Sequence, residues 1–140
     1  MKQMSGAEVS TAFLDSNVLV YAFSDDPRAV EAKRLLVQGC VIGLQGLNEF
    51  AHVTRRKFRL SWPEINAALA AIREACSKIV PLDLELHGDG MRISARYGVS
   101  VYDGLMLAAA RRAECSEFWS EDLQDGFVVD GFLTIRNPFQ

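Results

Sequence analysis

The chain has 140 residues, is 49% hydrophobic and 24% charged, and carries a formal net charge of −3. That length suits one domain, spanning 1–140, with a core of its own, and that composition excludes a disordered chain. The slight negative charge excludes a nucleic-acid binder held by a wholly basic surface, but not a nuclease with a local basic patch.

The opening "MKQMSGAEVS" has no apolar run of the signal-peptide kind. "STAFLD" (10–15) reads as strand one and ends at a polar step. "DDPRAVEAKRLLVQG" (25–39) reads as a helix, with Pro27 at its first position and Gly39 as its stop. "CVIGLQ" (40–45) is a short apolar strand. "LNEFAHVTRRKF" (47–58) repeats Leu47, Phe50, Ala51, Thr54 and Phe58 at helical spacing. "SWPEINAALAAIREAC" (61–76) opens on a capping box, Ser61 with Glu64, and its Trp62, Ile65, Leu69 and Ile72 form a stripe expected in the core.

"KIVPLD" (78–83) reads as a third strand. "LELHGDGMRISARYG" (84–98) reads as a weaker helix interrupted by Gly88 and Gly90, with 86–90 resembling a loop insertion. "SVYDGLMLAAARRAEC" (100–115) is a strong helix, "EFWS" (117–120) a strand, "EDLQDG" a turn and "FLTIRN" (132–137) the last strand. The longest apolar run of that half, "LMLAAA", is far short of the ~20 residues a membrane span takes, so a cytoplasmic protein is expected. The order β α β α α β α α β β implies a parallel sheet covered by helices on both faces. Cys40, Cys76 and Cys115 form no C-x-x-C pair and are expected to be structural thiols.

A carboxylate inside "AFLDSNVLVY" is the feature that needs explaining, because a lone buried Asp is costly unless paired or bound to a cation. In an open parallel sheet, ligands bind beyond the carboxyl ends of the strands, where strand order reverses. Asp15 ends strand one. Glu49 falls in the first turn of the helix after strand two, Asp103 in the first turn of the helix before strand four, and Asp122 just past strand four. Each has a plainer reading. Asp103 completes an S-x-x-D box, Glu49 suits a helix dipole, and Asp122 suits a turn. Together they form a set of acids at one edge, and acids that converge repel unless a divalent cation joins them. Mg²⁺ or Mn²⁺ suits such hard oxygen ligands, with Asn17 and Ser120 aiming the carboxylates.

These residues resemble the motifs of the PIN-domain ribonucleases, most closely the VapC-type toxins of toxin–antitoxin pairs. "FLDSNVLVYAF" is similar to the first motif, with Asp15 as its acid and Asn17 (or Ser16) beside it. "LQGLNEF" resembles the second with Glu49, "VSVYDGLMLAAA" the third with Asp103, and "FWSEDLQDG" the fourth with Asp122. The closing "IRNPF" is similar to the tail of many such toxins. The resemblance covers essentially the whole chain. It implies a three-layer α/β/α sandwich with a central parallel sheet of about five strands in the order 3-2-1-4-5. It also implies Mg²⁺- or Mn²⁺-dependent endonucleolytic cleavage of RNA, leaving 5′-phosphate and 3′-hydroxyl ends. A cognate antitoxin and a homodimer follow from the same resemblance. Glu121 and Asp125 lie close enough in sequence to share or replace the role of Asp122.

Arg55, Arg56, Lys57 and Arg59 in "TRRKFR" are candidates for RNA phosphates, with Arg92, Arg96, Arg111 and Arg112 as further basic groups. Solvated helix faces are the plainer reading of each. His52 shares a helix side with Glu49 and is expected to be packed or exposed rather than a general base. The alternatives are a catalytically silent binding protein on the PIN fold, a receiver domain, and an aspartate-nucleophile phosphatase. The last two want a Lys near the end of the chain, and none follows Lys78.

Overall fold

The computed structural model describes residues 12–140. The first two residues of the predicted strand 10–15 lie outside that range. Its elements run β1 (Ala12–Leu14), α1 (Ser16–Ala22), α2 (Ala29–Val37), β2 (Val41–Gly43), α3 (Leu44–Arg56), α4 (Trp62–Ala75) and β3 (Lys78–Val80). There follow α5 (Leu84–Tyr97), α6 (Val101–Arg112), β4 (Glu117–Trp119), β5 (Val128–Val129) and β6 (Leu133–Arg136). The sheet order is β3-β2-β1-β4-β6-β5. All pairings are parallel except β5 with β6. With β6 as the expected fifth strand, this is the anticipated order plus one short antiparallel edge.

Side chains alternate across the sheet and divide the core in two. Phe13 and Val41 face α5 and α6, joining Phe118, Leu86, Ile93 and Met106. Leu14 and Ile42 face α1–α4, joining Val18, Leu19, Leu35, Phe50 and Ile72. The Phe13 and Phe118 rings stack at 5.2 Å across the β1–β4 ladder. No helix among the described residues is long and apolar enough to cross a membrane.

Several boundaries differ from expectation. The apolar run after Asp15 is a helix, α1: Asp15 caps it by accepting the Ser16 N–H at 2.8 Å, and Val18, Leu19 and Ala22 share its buried face. Helix α2 starts at Ala29 rather than Pro27, because Asp26 first turns the chain by accepting the Arg28 N–H at 2.9 Å. Helix α3 begins at Leu44, directly after β2, so Glu49 stands in its second turn and not its first. Helix α5 is continuous through Gly88 and Gly90, so there is no loop insertion at 86–90. It is capped by Asp83 and stopped by Gly98, whose φ of 70° suits glycine.

The Ser61–Glu64 capping box forms, and Ile65 and Ile72 are buried, but Trp62 is 55% exposed. Trp62 instead receives the Arg55 guanidinium over its ring at 4.9 Å. The cysteines are free thiols; Cys40 and Cys115 are buried, Cys76 is half-buried, and the Cys40 and Cys76 sulfurs lie 3.5 Å apart.

Candidate functional site

The strand order reverses between β1 and β4: the chain leaves β1 toward β2 and β3, then returns to the other side. Pairing of Leu14 with Trp119 carries Asp15 and Ser120 out side by side at the carboxyl ends of these strands. The Asp15 N–H donates to the Trp119 carbonyl at 3.0 Å. The Ser120 hydroxyl donates to Asp15 Oδ2 at 2.8 Å. Asn17, in the first turn of α1, spans the gap. Its Nδ2 donates to Asp15 Oδ2 (3.3 Å), Ser120 Oγ (3.3 Å) and Asp122 Oδ2 (3.1 Å), and its Oδ1 accepts the Glu121 N–H (3.3 Å). Asn17 and Ser120 thus tie Asp15 and Asp122 together by hydrogen bonds.

Glu49 reaches the same rim from α3. Its Oε1 accepts the Ser16 hydroxyl at 2.8 Å and its Oε2 accepts Gln45 Nε2 at 3.2 Å. Asp103 arrives from the first turn of α6, where Ser100 caps the helix by accepting the Asp103 N–H at 3.1 Å. The S-x-x-D cap is therefore real, and it also delivers Asp103 to the rim.

Two further acids are diverted. Glu121 accepts the Tyr21 hydroxyl at 2.8 Å and pairs with Arg28 at 3.6 Å. Asp125 accepts the Asn137 N–H at 2.8 Å. Tyr21 is not legible because α1 does not stand out in the sequence, and Arg28, just before α2, carries no sequence signal for its pairing with Glu121; the i, i+4 spacing of Gln45 and Glu49 is a usable signal.

Asp15 is only 4% exposed. Burial pushes its carboxyl up to about 7; the Ser120 and Ser16 hydrogen bonds oppose this, and the negative charges of Asp103 and Glu49 add to it. Burial also raises Asp103, against the Ser100 hydrogen bond, with Glu49 and Asp122 adding repulsion. Asp15 and Asp103 therefore each feel the negative charge of neighbouring acids on the rim. Among the described residues, however, no three His, Cys, Asp or Glu side chains stand together as a ready metal cage. The donors still fit a hard cation: they are all oxygens, one is buried and reluctant to ionise alone, and an open set suits an ion that keeps several waters.

The basic candidates separate. Arg92 and Arg111 both pair with Asp130, at 3.0 and 3.4 Å, and Arg112 pairs with Asp83 and Glu85. Arg111 and Arg112 end α6, some eight or nine residues and about 13 Å from Asp103. Arg96 lies over the Tyr97 ring. Arg92, Arg111 and Arg112 are thus engaged in ion pairs within the fold. Arg55 donates to the Leu60 carbonyl. Arg56, Lys57 and Arg59 are exposed and have no ion-pair partner among the described residues. His52 is exposed. It lines a cleft of about 460 Å³ beside the rim, together with Ser16, Gln45, Asn48, Glu49, Val53 and Tyr102.

Fold and rim together define an α/β/α domain with hydrogen-bonded acids at its strand-order switch. The PIN-domain family model matches residues 12–124, and the chain belongs to that family. That membership replaces the receiver and phosphatase readings. No curated protein sequence matches the chain. Among solved structures, the fold is similar to a toxin–antitoxin complex from Klebsiella pneumoniae (TM-score 0.70, 20% identity, covering 92% of this chain and 98% of that one). It is also similar to Mycobacterium tuberculosis VapC20, a toxin that cleaves the sarcin-ricin loop (0.62, 18%, covering 76% and 86%). A third is Rickettsia felis VapBC2 bound to promoter DNA (0.64, 16%, covering 90% and 97%).

Proposed function

We propose that this single domain is a divalent-metal-dependent endoribonuclease, the toxin of a toxin–antitoxin pair, acting in the cytoplasm. The observation that carries the reading is the buried Asp15 carboxyl, held by Ser120 and Asn17 within reach of the charges of Asp103 and Glu49. Membership of the PIN family and the likeness to toxin–antitoxin complexes support it.

In this reading Asp15, Glu49, Asp103 and Asp122 hold Mg²⁺ or Mn²⁺, some of them through water. Bound there, the ion supplies Lewis acidity at a phosphate oxygen and a water of lowered pKa. Asn17 and Ser120 orient Asp15 and Asp122, and Ser16 and Gln45 orient Glu49. No side chain is needed as nucleophile, and the likeness to PIN-domain nucleases points to products with 5′-phosphate and 3′-hydroxyl ends. A cognate antitoxin silences the site, and the active form is a homodimer.

The test is incubation with total cellular RNA in Mg²⁺, Mn²⁺ or EDTA, followed by end mapping. Discrete cuts in either metal and none in EDTA are expected. RNA that stays intact in both metals overturns the nuclease reading and leaves a silent binding protein.

Arg56, Lys57 and Arg59 contact backbone phosphates. Replacing all three by Gln is expected to lower RNA affinity at least about tenfold at 50 mM salt and to flatten its salt dependence, with the cut site unchanged. Filter binding across a salt series measures this; an unchanged slope rejects the assignment.

A further inference from the structure

The cleft beside the acidic rim holds side chains that phosphodiester hydrolysis leaves unused. Tyr102 is the most prominent. It stands in the first turn of α6, immediately before Asp103, and is 61% exposed. A ring so placed neither fills the core nor caps the helix.

Across the cleft, helix α3 presents Asn48 and His52, four residues apart on one face, beside Glu49. Both are exposed, and neither side chain makes a hydrogen bond with any described residue. By contrast, Gln45 and Ser16 in the same wall are spent on Glu49. The cleft therefore combines an aromatic platform with uncommitted donors and acceptors. Its volume of about 460 Å³ falls in the range of small-ligand sites. It shares Glu49 and Ser16 with the rim, so whatever enters it is adjacent to the reacting phosphate.

We propose that this cleft is a nucleobase subsite, in which the base next to the scissile phosphate stacks on Tyr102 and is read by Asn48 and His52. The inference rests on the nuclease reading and adds its substrate class: the strand must be unpaired at the cut. A base inside an A-form duplex exposes neither its face nor its Watson–Crick edge, whereas an unstacked base offers both. Arg56 continues the same track. It lies four residues past His52, seven residues and about 10 Å along the helix from Glu49, at a distance that suits a phosphate of the same strand.

Two measurements decide it. The first is steady-state cleavage of a short single-stranded RNA carrying the mapped site. Tyr102→Ala is expected to raise KM about tenfold or more while kcat stays within about threefold, since stacking acts on binding. Tyr102→Phe and Tyr102→Trp retain the wild-type KM, and Asn48→Ala changes the preferred base beside the cut. Manganese affinity, read by calorimetry, is the same in all four. A Tyr102→Ala protein with wild-type KM and cut pattern overturns the proposal and leaves the cleft to a protein partner. So does a loss confined to kcat or to metal affinity.

The second is fluorescence anisotropy of a labelled single-stranded RNA with Ca²⁺ in place of Mg²⁺. Tyr102→Ala weakens binding of the single strand about tenfold but not that of the fully paired duplex. This arm needs no cleavage. If the wild type fails to cut RNA, the nuclease reading falls, while the subsite stands or falls on whether Tyr102→Ala discriminates the two RNAs.

Discussion

Asp15→Asn is expected to abolish the metal-dependent cleavage proposed for this rim and to leave the metal-free protein at least as stable as the wild type at pH 7.5. The second half of that expectation distinguishes a functional acid from a structural one. Asp15 is 4% exposed, and its carboxyl is pushed up to about 7, chiefly by burial. Between about pH 4 and pH 7 the folded protein therefore keeps a proton that the unfolded chain has released. The contribution of this group to stability is fully present below about pH 4. It is lost as pH rises through 7, at a cost on the order of 4 kcal/mol.

Asparagine carries no charge and removes that cost. Its Oδ1 still accepts the Ser16 N–H, but its Nδ2 cannot accept from Ser120 and Asn17 as Oδ2 does, and that loss of about 1–3 kcal/mol is smaller than the charge cost removed. Melting in EDTA should show the variant gaining on the wild type between pH 4.5 and 7.5. Added Mg²⁺ should raise the wild-type melting temperature at pH 7.5 and leave the variant unmoved, because only an ion bound to the folded state stabilises it. A variant that melts lower than the wild type in EDTA at pH 7.5 would make Asp15 a structural residue. One that cuts RNA at the wild-type rate would remove it from the site.

The positions of Asp15 and Asp103 are legible in the sequence because one follows a strand end and the other sits in the first turn of a helix, junctions marked by local signals, whereas Glu49 lies one turn further into α3 than its spacing suggests. "EFWS" ends β4 and puts Ser120 beside Asp15. Ser100 starts α6 and fixes where Asp103 emerges. What could not be read are matters of tertiary contact. The seven residues of α1 give barely two turns, too short for period 3.6 to stand out from a β-branched apolar run. Missing α1 hid the Tyr21–Glu121–Arg28 brace, which withdraws one of the two acids that competed with Asp122. The basic clusters looked alike in sequence. Only the fold shows that Asp130, from the β5–β6 turn, claims Arg92 and Arg111 while Arg56, Lys57 and Arg59 stay exposed. Trp62 fitted the apolar stripe by spacing but stands at the helix start, where there is no core to enter.

The glycines of α5 and α6 carry the other large effect, and they are where sequence spacing misleads most. Gly88 and Gly90 both look like helix breakers, yet only one has a packing reason. A Cβ at Gly88 meets nothing within 4 Å. Gly88→Ala is therefore expected to stabilise the protein by about 0.5–1 kcal/mol, the usual helix preference of alanine. Gly90 lies against the backbone of Leu105, with a Cβ there 3.1 Å from the Leu105 Cα. Gly104 is tighter still. Its Cβ would overlap the Ser94 hydroxyl and come within 2.5 Å of the Gly90 carbonyl oxygen, a backbone atom that cannot rotate away. Gly104→Ala must push α5 and α6 apart across their closest approach, and a loss of about 3 kcal/mol or more is expected from such overpacking. Urea unfolding of the two variants measures both signs. The consequence reaches the rim, because Gly104 follows Asp103 in the first turn of α6. A separation that moves this turn moves the carboxylate with it, so Gly104→Ala should weaken manganese binding even at temperatures where it stays folded. Equal manganese affinity in folded Gly104→Ala and wild type would show that the position of Asp103 does not depend on how closely these helices meet.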